Sequence, residues 1–241
     1  MAAESHCRIG SVDLCSAPAV VGVATRIDTL ERLRAHRPPC DLVELRADYL
    51  EAPRAVIPLL SAPRQVPVIL TIRHAREGGR WDGLETERME LYRAILPCVD
   101  AVDVEIDSEI IAPIAREAAE RSICVIGSYH NFSETPGADL LRAKMAKGIE
   151  LGARVVKVAT WSARESDVET LEALLRGPAM CPIAAMGMGP LGVQSRLRLA
   201  LAGSCLIYGF LDEPTAPGQL HAGEWVRRLR ESLPEYWEQR A

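Results

Sequence analysis

Lysine is nearly absent from this chain. Of 28 basic side chains among 241 residues, 25 are arginine and three are lysine, at positions 144, 147 and 157. Two of the three lie in a charged stretch of helical period, but Lys157 sits inside the apolar run Arg154-Val155-Val156-Lys157-Val158-Ala159. Burying an ammonium is costly unless it is paired or gives up its charge, so this one lysine needs a reason. A basic excess is missing too. With 33 acidic residues the net charge is -5, which lacks the electrostatic footprint of a nucleic-acid binder. No apolar stretch approaches the roughly 18 residues that span a bilayer. The N-terminus lacks a hydrophobic segment of secretory type. A cytoplasmic protein with no nucleic-acid or membrane partner is expected. Seven cysteines contain no C-x-x-C pair and share no ligand spacing with the five histidines, so reduced core thiols are expected rather than a disulfide or zinc framework.

What is present is alternation. Short, mostly β-branched apolar runs recur at Ala19–Ala24, Leu42–Leu45, Pro67–Ile72, Val99–Ile106, Ile123–Ser128, Arg154–Ala159, Pro182–Met186 and Ser204–Tyr208. They read as strands buried on both faces. Helical periods separate them at 28–37, 85–96, 139–151, 167–175, 193–202 and 222–233. Eight strands alternating with helices predict parallel pairing, and eight is the number that closes a barrel. The competing doubly wound sheet usually carries a glycine-rich turn after its first strand. Here that turn is Ala24-Thr25-Arg26-Ile27-Asp28, without glycine. The expected fold is α/β, a single (β/α)8 TIM barrel over residues 1–241, with a short N-terminal hairpin across its floor.

Barrel chemistry sits at the C-terminal ends of the strands. There the sequence places Glu44, Arg46 and Asp48 on one face of the second strand, Arg73 and then Glu77-Gly78-Gly79 after the third, and Asp103 with Glu105 on the fourth. Ser128 through Phe132 closes the fifth, Lys157 lies on the sixth, and Met186 and Met188 close the seventh, with Arg196 on the following helix. Each has a plain alternative: Glu44 and Arg46 as a structural ion pair, Glu77-Gly78-Gly79 as a turn, His130 as a loop histidine, Lys157 snorkelling to the mouth. Five successive strands delivering polar groups to one rim favour function. One histidine, a lysine and several arginines form a positive rim that would repel a cation, so no metal and no cofactor are expected. A buried lysine beside arginines favours an uncharged, nucleophilic amine, able to form a Schiff base with a carbonyl. A neighbouring histidine could move the proton alpha to that carbon, and the arginines suit a carboxylate substrate.

Five motifs in order carry a resemblance: Glu44-Leu45-Arg46-Ala47-Asp48; Thr71-Ile72-Arg73 with Glu77-Gly78-Gly79; Ser128-Tyr129-His130-Asn131-Phe132 with Thr135-Pro136; Lys157; and Gly189 through Arg196 with Ala216-Pro217-Gly218-Gln219. Over about residues 20–219 the chain resembles the type I 3-dehydroquinate dehydratases. That resemblance implies metal-free conversion of 3-dehydroquinate to 3-dehydroshikimate, the third step of chorismate biosynthesis, by an enzyme that is often a homodimer. By position it implies Lys157 as the Schiff-base lysine and His130 as general acid and base. Glu77 and Asp103 would tune that histidine. Arg196 and Gln219 fall on the substrate-carboxylate side, Thr215 is a substrate-binding residue beside the closing loop, Glu44, Arg46 and Arg73 lie at the ring hydroxyls, and Met186 and Met188 in the pocket lining. Residues 216–219 would belong to a closing loop. Thr215, Tyr208, Pro190 and Gly22 depart from the commonest family pattern. Two rivals remain at this stage, a Schiff-base aldolase acting on a sugar phosphate and a non-catalytic carboxylate sensor.

Overall fold

The computed structural model describes residues 7–177, 180–215, 219–234 and 236. A two-residue hairpin, β1 (Arg8–Ile9) and β2 (Val12–Asp13), opens the chain and turns through Gly10 at φ +55°. Eight parallel strands follow: β3 (Ala19–Ala24), β4 (Leu42–Arg46), β5 (Val68–Thr71), β6 (Ala101–Glu105), β7 (Cys124–Asn131), β8 (Val155–Trp161), β9 (Ile183–Met188) and β10 (Leu206–Phe210). They form one sheet in the order β10-β3-β4-β5-β6-β7-β8-β9. At the seam, the Cys205 N–H donates to the Ile183 carbonyl (2.9 Å) and the Ala185 N–H to the Ser204 hydroxyl (2.9 Å), so the two ends of the sheet meet and the barrel nearly closes. The expected architecture is the observed one.

The helices are α1 (Ile27–Ala35), α2 (Ile57–Leu60), α3 (Glu85–Ile95), α4 (Ile111–Ala119), α5 (Ala138–Glu150), α6 (Glu165–Leu175), α7 (Gly192–Leu201) and α8 (Ala222–Ser232). Two of them, α2 and α4, were not expected from periodicity. Pro113 in α4 reads as a breaker, yet it occupies the first turn, where its missing N–H leaves no intrahelical bond unmade. None of the described helices is long and apolar enough to cross a membrane.

Strand alternation separates two apolar clusters. Outward residues such as Val43, Leu70, Val102 and Val156 pack against the helices, whereas Val21, Leu42, Ile69, Ala101, Ile126, Val155, Ala184 and Leu206 fill the barrel. The hairpin plugs the floor. Ile9 and Leu14 join the inner cluster, with Ile9 wholly buried, and the Cys7 thiol contacts the Arg154 carbonyl.

Strands β7, β8, β9 and β10 run two or three residues beyond their apolar runs. The β7–β8 ladder continues through His130 opposite Ala159 and Asn131 opposite Thr160. His130 is therefore a strand residue, held by the sheet rather than by a loop.

Candidate active site

Barrel interiors are built from layers of four side chains contributed by alternate strands. One such layer here comprises Glu44 on β4, Asp103 on β6, Lys157 on β8 and Tyr208 on β10. All four are at most 5 % exposed. The Lys157 ammonium meets Asp103 Oδ2, lies 3.8 Å from Glu44 Oε1, and stands over the Tyr208 ring at 4.8 Å from its centroid. Carboxylates, not the arginines expected beside it, face this amine. The geometry is that of the layer: inward positions of β4 and β6 are acidic, and they converge on β8. The carboxylates also offset the positive charge expected of the rim.

A second belt of hydrogen bonds fixes that layer. Arg73 donates to Asp103 Oδ1 (2.6 Å) and to the Ser128 hydroxyl (2.6 Å), and lies 3.2 Å from Glu105 Oε1. Ser128 donates to Asp103 Oδ1 (2.6 Å), and Thr71 donates to Glu44 Oε1 (2.8 Å). Burial opposes ionisation of Asp103, but Arg73 and Lys157 outweigh it and hold the carboxyl well below the usual carboxylate range. Asp103 thus acts on the lysine by contact and on His130 through space, its charge raising the histidine's affinity for a proton. Likewise Arg46 does not pair with Glu44; it forms a two-pronged bridge to Asp48 (2.9 and 2.8 Å).

Glu77 is the contact partner of His130. A single oxygen, Glu77 Oε2, accepts from the His130 backbone N–H (2.9 Å) and lies 2.8 Å from its Nδ1. The glycines beside it make this possible. Gly78 takes φ +76°, and a Cβ at Gly79 would lie 1.9 Å from the Arg73 carbonyl oxygen, so the loop folds back on the end of β5 only with glycine there. Burial, reinforced by Arg73 and Lys157, pushes the imidazole well below the usual histidine range. The same burial pushes the Glu77 carboxyl up to about 7. At neutral pH the ring is uncharged. With Nδ1 committed to Glu77, Nε2 is the ring nitrogen left for other chemistry.

Arg196 presents the opposite situation. It is 8 % exposed, its Nη1 reaches only the Tyr208 carbonyl (3.3 Å), its Nε has no partner, and no carboxylate pairs with it among the described residues. Burial alone pushes this guanidinium down to about 10. A buried guanidinium without an acid is a site awaiting an anion. Gln219 Oε1 accepts from the Thr215 N–H (2.8 Å) and hydroxyl (3.1 Å), tying the two ends of the expected closing loop; residues 216–218 lie outside the described residues. Met186 is buried and Met188 half-buried on β9.

Two contributors were given no role by the sequence. Arg88 on α3 is completely buried, donates to Glu105 Oε2 (2.8 Å) and to the Ile72 carbonyl (3.0 Å), and thereby fixes the carboxylate that supports Arg73. Its face of α3 carries Tyr92 and Ile95, so its periodic position was the available signal. The other is Tyr208, a tyrosine in an aromatic-tolerant strand.

A family model for type I 3-dehydroquinase matches residues 19–233. The 3-dehydroquinate dehydratase of Thermodesulfovibrio yellowstonii is 32 % identical over 213 residues, covering 87 % of this chain and 93 % of that protein. That of Methanococcoides burtonii is 31 % identical over 221 residues, covering 88 % and 94 %. The crystal structure of the Geobacillus kaustophilus 3-dehydroquinate dehydratase superposes with a TM-score of 0.81 at 30 % identity, covering 92 % of this chain and 93 % of the other. A Clostridium difficile type I 3-dehydroquinate dehydratase, solved with covalently modified comenic acid, gives 0.82 at 25 % identity over 94 % and 98 %. Sequence and fold agree along nearly the whole barrel, and the chain belongs to the type I 3-dehydroquinase family, a family of hydro-lyases.

Proposed function

We propose that this protein dehydrates 3-dehydroquinate to 3-dehydroshikimate through an imine on Lys157, as the third step of chorismate biosynthesis. The observation that carries the reading is the placing of the barrel's one inward lysine, opposite Ser128 in the ladder, two positions before an uncharged imidazole on the neighbouring strand. Arg196 receives the substrate carboxylate, with Gln219 and Thr215 closing that side, and Arg46, Arg73 and Glu44 hold the ring hydroxyls. Lys157, whose ammonium is held against Asp103 in the resting site, condenses with the carbonyl as the neutral amine, its proton released to solvent before attack. The iminium draws electrons from the adjacent carbon, His130 Nε2 removes the proton there, and the same nitrogen returns it to the departing hydroxyl. Hydrolysis of the imine frees the lysine. A relative solved with a covalently modified ligand supports covalent chemistry in this family. A cytoplasmic homodimer belongs to the same reading and rests on family resemblance.

The direct test is to incubate the protein with unphosphorylated dehydroquinate and follow the enone chromophore of the product. An absorbance rise dependent on enzyme is expected; its absence would overturn the dehydratase reading in favour of the phosphate-dependent aldolase or the sensor. Arg196→Gln tests the carboxylate site. Losing a charge-assisted pair costs about 1.5–3 kcal/mol, so KM should rise by about 10- to 100-fold while kcat changes much less. A KM within twofold of the parent would remove Arg196 from the substrate site.

A further inference from the structure

Around the Lys157 amine the layer supplies three groups, and two of them, Asp103 and Glu44, are carboxylates that accept hydrogen bonds. The neighbouring hydroxyls are committed already: Ser128 donates to Asp103 and Thr71 to Glu44. The third group is Tyr208. Its ring lies 4.8 Å from Nζ, its side chain is buried, and its hydroxyl has no hydrogen-bond partner among the described residues. Burial, with Glu44 and Asp103 nearby, pushes the phenol well above its usual range, so it remains an O–H donor throughout neutral pH. Its backbone carbonyl also accepts from Arg196 Nη1, so one residue joins the amine to the guanidinium that awaits an anion.

A buried hydroxyl left unpaired costs stability and is retained where something else uses it. We infer that the Tyr208 hydroxyl is a substrate-contacting catalytic group, donating a hydrogen bond to the oxygen on the carbon that Lys157 attacks. This rests on the lysine chemistry proposed above. Condensation forms a C–N bond and breaks the C–O bond: the neutral amine's two hydrogens leave with the oxygen as water, and C=N remains. Every stage from carbonyl to carbinolamine places an oxygen lone pair beside Nζ, where the two facing carboxylates are acceptors. The phenol supplies a donor from within the layer itself and keeps its own proton. Its ring meanwhile holds the ammonium of the resting enzyme face-on.

Tyr208→Phe separates the hydroxyl from the ring. The expected result is an approximately tenfold loss in the rate of borohydride trapping at saturating dehydroquinate, a matching loss in kcat and a KM within about twofold of the parent. The same variant should have a higher Tm without ligand, because the unpaired hydroxyl is gone. Trapping at the parental rate would overturn the inference. So would a lower Tm accompanying the loss, which would show the hydroxyl holding the fold rather than the substrate. If the unaltered enzyme itself is not trapped by borohydride, the lysine reading has failed and this inference falls with it.

Discussion

Replacing Lys157 by alanine should reduce turnover of 3-dehydroquinate to the uncatalysed background, a loss of about 10⁶-fold or more. No other lysine can replace it, because Lys144 and Lys147 lie on α5 and both pair with Asp107 outside the barrel. Alanine also removes one partner from a buried ion pair, a change that often costs about 3–5 kcal/mol. Asp103 would keep Arg73 and Ser128, which should limit the damage. Lys157→Arg is the companion that isolates chemistry from folding. It restores a cation to Asp103 and Glu44, yet a guanidinium does not condense with a ketone under these conditions. The expected result is two variants equally inactive, with the arginine form closer to the parent in Tm. An arginine variant with more than a few per cent of parental activity would remove the covalent step from the mechanism.

His130→Ala should lower kcat by at least about 100-fold while leaving imine formation measurable, since the ring moves the proton but does not form the bond. The pH profile tells more than the magnitude. His130 is uncharged far into the acid range, so its own protonation does not set the acid limb at neutral pH. Glu77 does, with a carboxyl pushed up to about 7. Above that pH the carboxylate accepts Nδ1–H and leaves the Nε2 lone pair free to act as base. Below it, protonated Glu77 donates to Nδ1, the ring proton moves to Nε2, and the base is lost. Activity should therefore rise with pH through about 7. In Glu77→Gln, the amide oxygen can take over both hydrogen bonds at any pH, so the limb should disappear and a lower plateau remain. An acid limb that persists unchanged in that variant would assign it to another group.

Much of this was readable from residue order because charge in a buried strand is conspicuous. An ammonium between β-branched neighbours, or Asp103 and Glu105 alternating with valine, violates the apolar pattern and demands a partner. Individual partners were less readable, since they depend on strand stagger. Glu44 and Arg46 share a face and look like a pair, but the register directs Glu44 to Thr71 and Lys157 and leaves Arg46 to Asp48. Arg88 was hidden for a different reason. Arginine on an amphipathic helix usually belongs to the solvent side, and the buried Glu105 and Ile72 carbonyl beneath it explain its inward turn. Tyr208 stood out only as a departure from the family pattern, and its role was the least visible. Tyrosine suits a strand by propensity alone, and what distinguishes this one is a hydroxyl with no partner, a property of the packed barrel rather than of the chain.

Covalent attachment to Lys157 is the claim on which the rest depends. Borohydride added during turnover reduces an imine to a stable secondary amine, and peptide mass spectrometry then locates it. One equivalent of substrate-derived mass on the peptide containing Lys157, absent without dehydroquinate and absent from Lys157→Arg, is the predicted result. Unmodified protein with undiminished turnover, or an adduct on Lys144 or Lys147 instead, would contradict it.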